Sequence, residues 1–202
     1  MEWEVLNIIG TIAFAVSGAL VAMEEKYDIF GVYFLGFATA FGGGIIRNLL
    51  IGLPLSLLWE QGLLMLSAFS VMTIIFFLPG IWISQWKKWG VFPDALGLAA
   101  FAVQGALFAV NAGHSIVAII VAALFTGTGG GVIRDILAGR KPLLFRDEIY
   151  ALWAILAGLI IGLGWISTDE PFLLYSLVAA VVIMRIISVR YNLKLPRKPL
   201  SS

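Results

Sequence analysis

Two arginines stand in otherwise apolar stretches of this chain, and each follows a run of three glycines. Gly42–Gly44 precede Arg47, and Gly129–Gly131 precede Arg134 at the same spacing. A guanidinium stays charged and carries five N–H donors, so it binds carboxylates and other anions or anchors neighbouring groups. Placing such a charge within a membrane span costs about 2.5–3.5 kcal/mol. Snorkelling of each side chain to the lipid headgroups is the alternative. The shared position beside a triplet instead favours a functional site.

The glycine triplets are the second feature that could do chemistry. Each glycine costs a helix interior up to about 1 kcal/mol relative to alanine, so three in a row predict a helix that bends or breaks. A break frees backbone N–H and C=O groups, which lipid cannot satisfy and which must face protein or water. Close helix packing through small residues is the other interpretation. Two triplets at matching positions favour an interruption that lines a cavity or pore.

Polar residues on the same elements complete the candidate site. Asp94 is a predicted partner of Arg134, and together with Asp135 it predicts a charge cluster. Asn7 takes the position equivalent to Asp94 and is expected near Arg47. Threonine and serine in membrane helices commonly bond to their own helix carbonyls instead. The remaining candidates for the pathway are Ser17, Thr39, Asn48, Gln104, Thr126 and Thr128.

The composition excludes most catalytic chemistry. The chain has no cysteine and one histidine, His114, so neither a disulfide framework nor a thiolate or histidine metal site is expected. No Ser/His/Asp set and no phosphate-binding glycine loop with a following lysine is present. The formal net charge of +1 gives no basis for nucleic-acid binding. We therefore expect a protein that is not an enzyme and has no metal, cofactor or nucleic-acid partner.

The elements that must position these residues are membrane helices. Of the residues in this chain 61% are hydrophobic and 12% are charged, and the mean hydropathy is +1.01. In a soluble domain about 45–50% of the residues are apolar and about 25% are charged. A bilayer accepts this surplus and requires about 20 apolar residues per helical span. We predict an all-α membrane protein with seven transmembrane helices, at Val5–Met23, Phe30–Leu50, Leu57–Ile83, Asp94–Val110, Ser115–Leu137, Ile149–Ile166 and Phe172–Val189.

The basic residues of the loops predict the orientation. Glu2 and Glu4 stand where a cleavable signal would carry Lys or Arg, so the first apolar run is kept as a span. Nearly all Lys and Arg fall in the loops after the first, third and fifth helices and in the C-terminal tail. The positive-inside rule then places the C-terminus in the cytoplasm and the N-terminus outside. The chain is expected in the cell membrane as a multi-pass protein.

An internal repeat relates the two halves of the chain. At an offset of 87 residues, 7–52 aligns with 94–139 without a gap and with 18 identities in 46 positions. Convergent membrane composition is the alternative, but the identities cluster in two blocks. A unit of three spans must run in the opposite direction in its second copy. Inverted repeats of this kind place binding or permeation sites near the midplane, where Gly-interrupted helices meet.

The repeat predicts the domain organisation. The first three-helix unit covers 1–83 and the inverted second unit covers 84–170. The seventh transmembrane helix covers 171–190 and stands outside both copies. A basic cytoplasmic tail covers 191–202.

The paired blocks Phe41–Leu49 and Gly127–Leu137, each with GGG-x-x-R followed by Asn or Asp, resemble a known family. They are similar to the prokaryotic relatives of the TRIC (trimeric intracellular cation) channels, also catalogued as a bacterial glycine-transporter domain. The resemblance implies a homotrimer in the bilayer, with one hourglass pore per subunit and helices 2 and 5 kinked at the triplets. It implies permeant monovalent cations, chiefly potassium, with sodium and bound lipid left open. The pore elements carried over are Gly42, Gly43, Gly44, Arg47, Gly129, Gly130, Gly131 and Arg134.

Two functions follow from these observations. One is a passive potassium-permeable channel, in which freed carbonyls replace part of a cation's hydration shell. The other is a secondary transporter of glycine or a similar zwitterion, whose carboxylate would suit Arg47, Arg134 and the positive helix ends. Two arginines beside a cation path repel cations unless Asp94, Asp135 or an anion neutralises them. The residues alone therefore leave both functions open, a membrane scaffold that transports nothing is the remaining alternative, and the family resemblance favours the channel.

Overall fold

The computed structural model describes residues 2–78, 90–145, 149–167 and 170–196 of the 202-residue chain. Seven α-helices lie in these ranges, as the sequence predicts, together with two short 3-10 helices at Leu55–Leu58 and Leu143–Phe145. The α-helices are α1 (Glu2–Glu24), α2 (Ile29–Ile51), α3 (Gly62–Phe77), α4 (Val91–Asn111), α5 (Ile116–Leu137), α6 (Ala151–Gly162) and α7 (Pro171–Arg190).

Five of these helices, α1, α2, α4, α5 and α7, are long and apolar enough to cross a membrane. The other two are shorter than predicted. α3 begins at Gly62 rather than Leu57, because the residues after Pro54 form a 3-10 turn. α6 ends at Gly162 rather than Ile166, where Gly164 takes a left-handed φ of 71°. The predicted end of the third span, Ile83, lies outside the described residues.

Four helices, α1, α2, α4 and α5, form the centre of the molecule. α4 is the most enclosed, and α1, α5, α6 and α7 all pack against it. Glycines allow the closest approach: the Phe101 ring covers Gly10, and the Phe14 ring covers Gly97. The two rings meet edge to face, with centroids 5.3 Å apart. Each contact is the equivalent of the other at the offset of 87 residues.

The loops alternate between two ends of the bundle. At one end Arg140, after α5, pairs with Glu24 (2.9 Å) and Glu25 (2.5 Å), after α1. At the other end the His114 ring, in the loop after α4, lies 3.1 Å from the Ile51 carbonyl at the end of α2. The loops after the first and fifth helices therefore share one end, as the predicted topology requires.

Candidate functional site at the crossing of two glycine-rich helices

The two glycine triplets lie in unbroken helices. α2 is helical from Ile29 to Ile51 and α5 from Ile116 to Leu137, so both triplets are inside continuous α-helix. The prediction that the triplets interrupt their helices is wrong. An unbroken helix keeps its backbone N–H and C=O groups bonded within itself, which an apolar surrounding requires. The alternative, close packing, explains the glycines.

The triplets bring α2 and α5 into backbone contact. A Cβ on Gly43 would collide with the Thr126 carbonyl oxygen, and a Cβ on Gly130 would collide with the Thr39 carbonyl oxygen. The first glycine of each triplet also lies against the opposite helix: Gly42 faces the Ile133 side chain and Gly129 faces the Ile46 side chain. Every one of these contacts recurs at the offset of 87 residues. Reciprocal contacts of this kind are typical of two units related by a two-fold axis.

At one end of the crossing Arg134 lies in the predicted charge cluster. It is 2% exposed. Its Nη1 lies 2.6 Å from Asp94 Oδ1, and its Nη2 lies 2.8 Å from Asp135 Oδ1. Nη1 also donates to Ser17 Oγ at 2.5 Å. Asp135 Oδ2 accepts from the Leu143 backbone N–H at 2.8 Å. Two carboxylates thus surround one guanidinium, and the formal charge of the cluster is −1.

At the other end Arg47 has polar but uncharged partners. It is 4% exposed. Its Nε and Nη2 donate to Asn48 Oδ1 at 3.1 and 2.9 Å, and its Nη1 donates to Gln104 Oε1 at 3.3 Å. The guanidinium carbon lies 3.9 Å above the centre of the Phe108 ring. In the part of the chain that the structure describes, no carboxylate forms an ion pair with Arg47. This end therefore keeps a formal charge of +1.

A polar cavity opens beside Arg47. The empty space between its lining atoms is about 370 Å³, counted out into the open surroundings, and both polar and apolar side chains line it. The cavity brings together predicted site residues, such as Arg47 and Gln104, with Thr11 and Gln61, which the sequence analysis did not select. Asn7 lines it as expected, but its amide donates to Gln61 Oε1 at 3.4 Å. The polar lining comprises Asn7, Thr11, Arg47, Asn48, Gln61 and Gln104, with the backbone of Gly44.

The predicted hydroxyl residues divide into two groups. Thr39, Thr126 and Thr128 donate to carbonyls four residues earlier in their own helices, at 2.6, 2.5 and 2.7 Å, which is the common behaviour of threonine in such helices. Ser17 instead accepts from the arginine of the other half, as Gln104 does. Ser17 and Gln104 are equivalent positions, so each repeat supplies one acceptor to the opposite arginine.

Tyr150 is a site residue that the sequence analysis did not select. Its hydroxyl donates to Asp94 Oδ1 at 3.4 Å and fills the space beside Gly131. The Arg185 guanidinium, which is buried on α7, lies 4.8 Å above the Tyr150 ring and donates to the Ile149 carbonyl at 3.3 Å. Tyr150 lies outside the gap-free aligned region, so the repeat comparison carried no signal for it. Among the residues described, no group of three or more acidic or histidine side chains could hold a metal.

Comparison with known proteins shows similarity over both halves of the chain. A family model described as Glycine transporter matches twice, at 4–79 and 91–166, so the two matches are also offset by 87 residues. The UPF0126 membrane protein YvgT of Bacillus subtilis is 59% identical over 198 residues, which cover 98% of this chain and 97% of that protein. The UPF0126 inner membrane protein YadS of Escherichia coli K12 is 34% identical over 95% of this chain and 93% of its own length.

Solved structures show the same similarity. The TRIC trimeric intracellular cation channel orthologue from Rhodobacter sphaeroides superposes with a TM-score of 0.84 at 32% identity. The superposition covers 95% of this chain and 98% of the other.

Proposed function

The chain belongs to the glycine transporter family of membrane proteins, which includes the prokaryotic TRIC channels, and from this membership we propose that it is a monovalent cation channel. Potassium is the proposed main permeant ion, and sodium a further one. The channel works without a bound cofactor. The Rhodobacter relative is a trimeric channel, and we propose that this chain also forms a homotrimer in which each subunit holds its own pathway.

The observation that carries this proposal is the crossing of α2 and α5 between two polar clusters. The Arg47 cavity reaches Gly44, while the Arg134 cluster lies beyond Gly131 on the other side of the crossing. At this crossing Gly43 and Gly130 lie against the carbonyls of Thr126 and Thr39, and the side chains of Ile133 and Ile46 pack against Gly42 and Gly129. A small relative movement of the two helices would open a path lined by carbonyl oxygens, which suit a partly dehydrated cation. Polar groups aligned through an apolar bundle mark ion pathways.

The electrostatics of the Arg134 cluster support cation entry from that end. Asp94 and Asp135 more than compensate the guanidinium. Asp94 Oδ2 is buried and has no hydrogen-bond partner among residues 2–78, 90–145, 149–167 and 170–196. A carboxylate oxygen without a donor attracts a cation.

The proposed arrangement in the membrane follows from the repeat. The unit α1–α3 has three helices, so α4–α6 runs through the bilayer in the opposite sense. α7 lies outside both units. The units cover 1–83 and 84–170, followed by the seventh helix at 171–190 and a basic tail at 191–202. The N-terminus is proposed to lie outside the cell membrane and the C-terminus in the cytoplasm. The remaining residues that we propose for the pathway are Gly42, Asn48, Gly129, Ser17, Gln104 and Thr128.

Planar-bilayer recording tests the channel. Purified protein should give single-channel currents in potassium salts, and currents should reverse at the potassium equilibrium potential when potassium is the only permeant cation. Gly43→Val places a side chain against the Thr126 carbonyl and should abolish the currents, and Gly62→Ala serves as its control because a Cβ there would meet no atom within 4 Å. Protein that is silent in bilayers, yet exchanges radiolabelled glycine saturably across liposome membranes, would overturn the channel proposal.

A secondary transporter of glycine is the second candidate, and one observation favours it. The cavity opens beside a positive side chain at one end of the crossing, and the packed triplets separate it from the other end. Alternating access needs a site that is open on one side and closed on the other. Counterflow of radiolabelled glycine in liposomes tests this candidate. Flux that rises linearly with glycine concentration, without saturation, would exclude it.

A further inference from the structure

The Arg47 guanidinium has more N–H donors than it uses on acceptors in the described part of the chain. A guanidinium has five N–H donors, and Arg47 uses three of them, on Asn48 and Gln104. The acceptors are amide oxygens, which do not neutralise its charge. The side chain is almost completely buried, and the Phe108 ring face against it attracts the guanidinium but carries no formal charge. A buried charge without a counter-charge is costly, so this end of the bundle lacks one negative charge.

A second and independent observation concerns Thr11, which lines the same cavity. Its side chain is 1% exposed. Its Oγ1 is buried and has no hydrogen-bond partner in the described part of the chain. Threonine hydroxyls in these helices otherwise bond to their own helix, as Thr39, Thr126 and Thr128 do. The hydroxyl of Thr11 is thus a donor left available in the wall of the cavity.

The second repeat shows what is missing from the first. The equivalents of Asn7 and Asn48 are Asp94 and Asp135, whose carboxylates bind Arg134. The Tyr150 hydroxyl fills the space beside Gly131, whereas the nearest atom to a Cβ on Gly44 would be Nη2 of Arg47, at 3.9 Å. The first repeat therefore has a cavity where the second has a protein anion and a tyrosine.

We propose that the cavity beside Arg47 binds a small monovalent anion, either chloride or the carboxylate of a small acid. The anion accepts hydrogen bonds from the free guanidinium N–H groups and from Thr11 Oγ1. Asn7 and Gln61 line the rest of the site. The bound anion is a counter-charge for Arg47, as Asp94 and Asp135 are for Arg134. It neutralises the positive charge at that end of the crossing. This cavity is also one end of the proposed pathway, but the anion proposal is tested by binding and does not require transport to be observed.

Anion-dependent stability of the purified full-length protein tests the site. Ligand that binds only the folded state raises the unfolding midpoint in a saturable way. Potassium acetate, potassium chloride and glycine are each titrated while circular dichroism follows thermal unfolding. We expect a saturable rise for the wild type with at least one of these probes. A response to acetate and glycine without chloride identifies a carboxylate site, and a response to chloride identifies a site for monovalent anions generally.

Variants separate binding from the general effect of salt. Arg47→Gln should abolish the saturable rise, and Thr11→Val should weaken the apparent affinity about tenfold, the effect of one lost hydrogen bond to a charged group. Asn48→Asp supplies the carboxylate found in the second repeat and should abolish the rise even if Arg47→Gln fails to fold. Arg140→Gln makes the same chemical change at a surface arginine and should keep the full response.

The inference is overturned if the wild type shows no saturable rise with any of the three probes. It is equally overturned if Asn48→Asp and wild type respond identically. Because binding is measured without flux, a protein that is silent in planar bilayers but keeps its anion response would contradict the channel proposal alone.

Discussion

The contact between the two triplets makes a sharp prediction for neighbouring glycines. Gly43 and Gly44 are adjacent in α2, but their surroundings differ. A Cβ on Gly43 would collide with the backbone carbonyl of Thr126, and it would also lie 3.4 Å from the Gly130 nitrogen. A Cβ on Gly44 would have nothing nearer than 3.9 Å. Gly43→Ala should therefore destabilise the protein, whereas Gly44→Ala should leave it unchanged or stabilise it.

The magnitudes follow from two opposing effects. Overpacking a tight contact costs about 1–3 kcal/mol, since a backbone carbonyl cannot rotate away as a side chain can. Replacing glycine with alanine inside a helix gains up to about 1 kcal/mol. The helix-propensity gain is common to both variants, so Gly43→Ala should be less stable than Gly44→Ala by the overpacking cost of about 1–3 kcal/mol. At about 2–4 °C per kcal/mol for a chain of this size, the two unfolding midpoints should differ by about 2–12 °C.

Thermal unfolding of both variants in the same detergent, with wild type alongside, measures this difference. Gly130→Ala tests the same contact from the second half of the chain and should also be destabilising, because its Cβ would collide with the Thr39 carbonyl. Equal midpoints for Gly43→Ala and Gly44→Ala would refute the close contact of α2 and α5. Destabilisation by Gly44→Ala alone would show that the cavity lies on a different face of α2.

Three further predictions concern the charged groups and are checked by unfolding midpoints. Arg134→Gln leaves two buried carboxylates without a counter-charge and should cost about 3–5 kcal/mol, whereas Asp94→Asn leaves the Arg134–Asp135 pair and should cost less; the reverse order would contradict the charge cluster. Arg47→Gln removes an uncompensated charge, so it should cost clearly less than Arg134→Gln, which leaves two carboxylates buried; the reverse order would refute the charge asymmetry. Arg140→Gln breaks a partly exposed pair and should change stability by about 0–1 kcal/mol, less at high salt.

The sequence determines the number of helices and the pairing of the two halves. Apolar composition and short polar breaks are enough to predict seven helices, because lipid tolerates no other spanning structure for such segments. The offset of 87 residues predicts equivalent positions, and those positions make reciprocal contacts, from Phe14 and Phe101 to Ser17 and Gln104. The sequence also predicts the partnership of Arg134 with Asp94, since a carboxylate stabilises a buried guanidinium.

Tertiary structure decided what the glycines do. Intrinsic helix propensity predicts a break in α2 at Gly42–Gly44, because it depends on the residues of that helix and takes no account of neighbouring helices. In the fold the opposite helix lies against these residues, and the absence of side chains allows two backbones to touch without a lost hydrogen bond. The choice between break and contact depends on α5, which is about 87 residues away in the chain.

Tertiary structure also decided how the space beside each arginine is filled. Sequence places Arg47 and Arg134 at equivalent positions and predicts Asn7 beside Arg47. It cannot show that Tyr150 fills the space beside Gly131, whereas the corresponding space beside Gly44 remains part of a cavity. Those differences come from α6 and the loop after α2, which lie outside the well-matched part of the repeat. The repeat thus specified one site made twice. The exchange of Asn7 and Asn48 for Asp94 and Asp135 gave the two copies different charges, and the packing of the unmatched segments left a cavity beside Arg47.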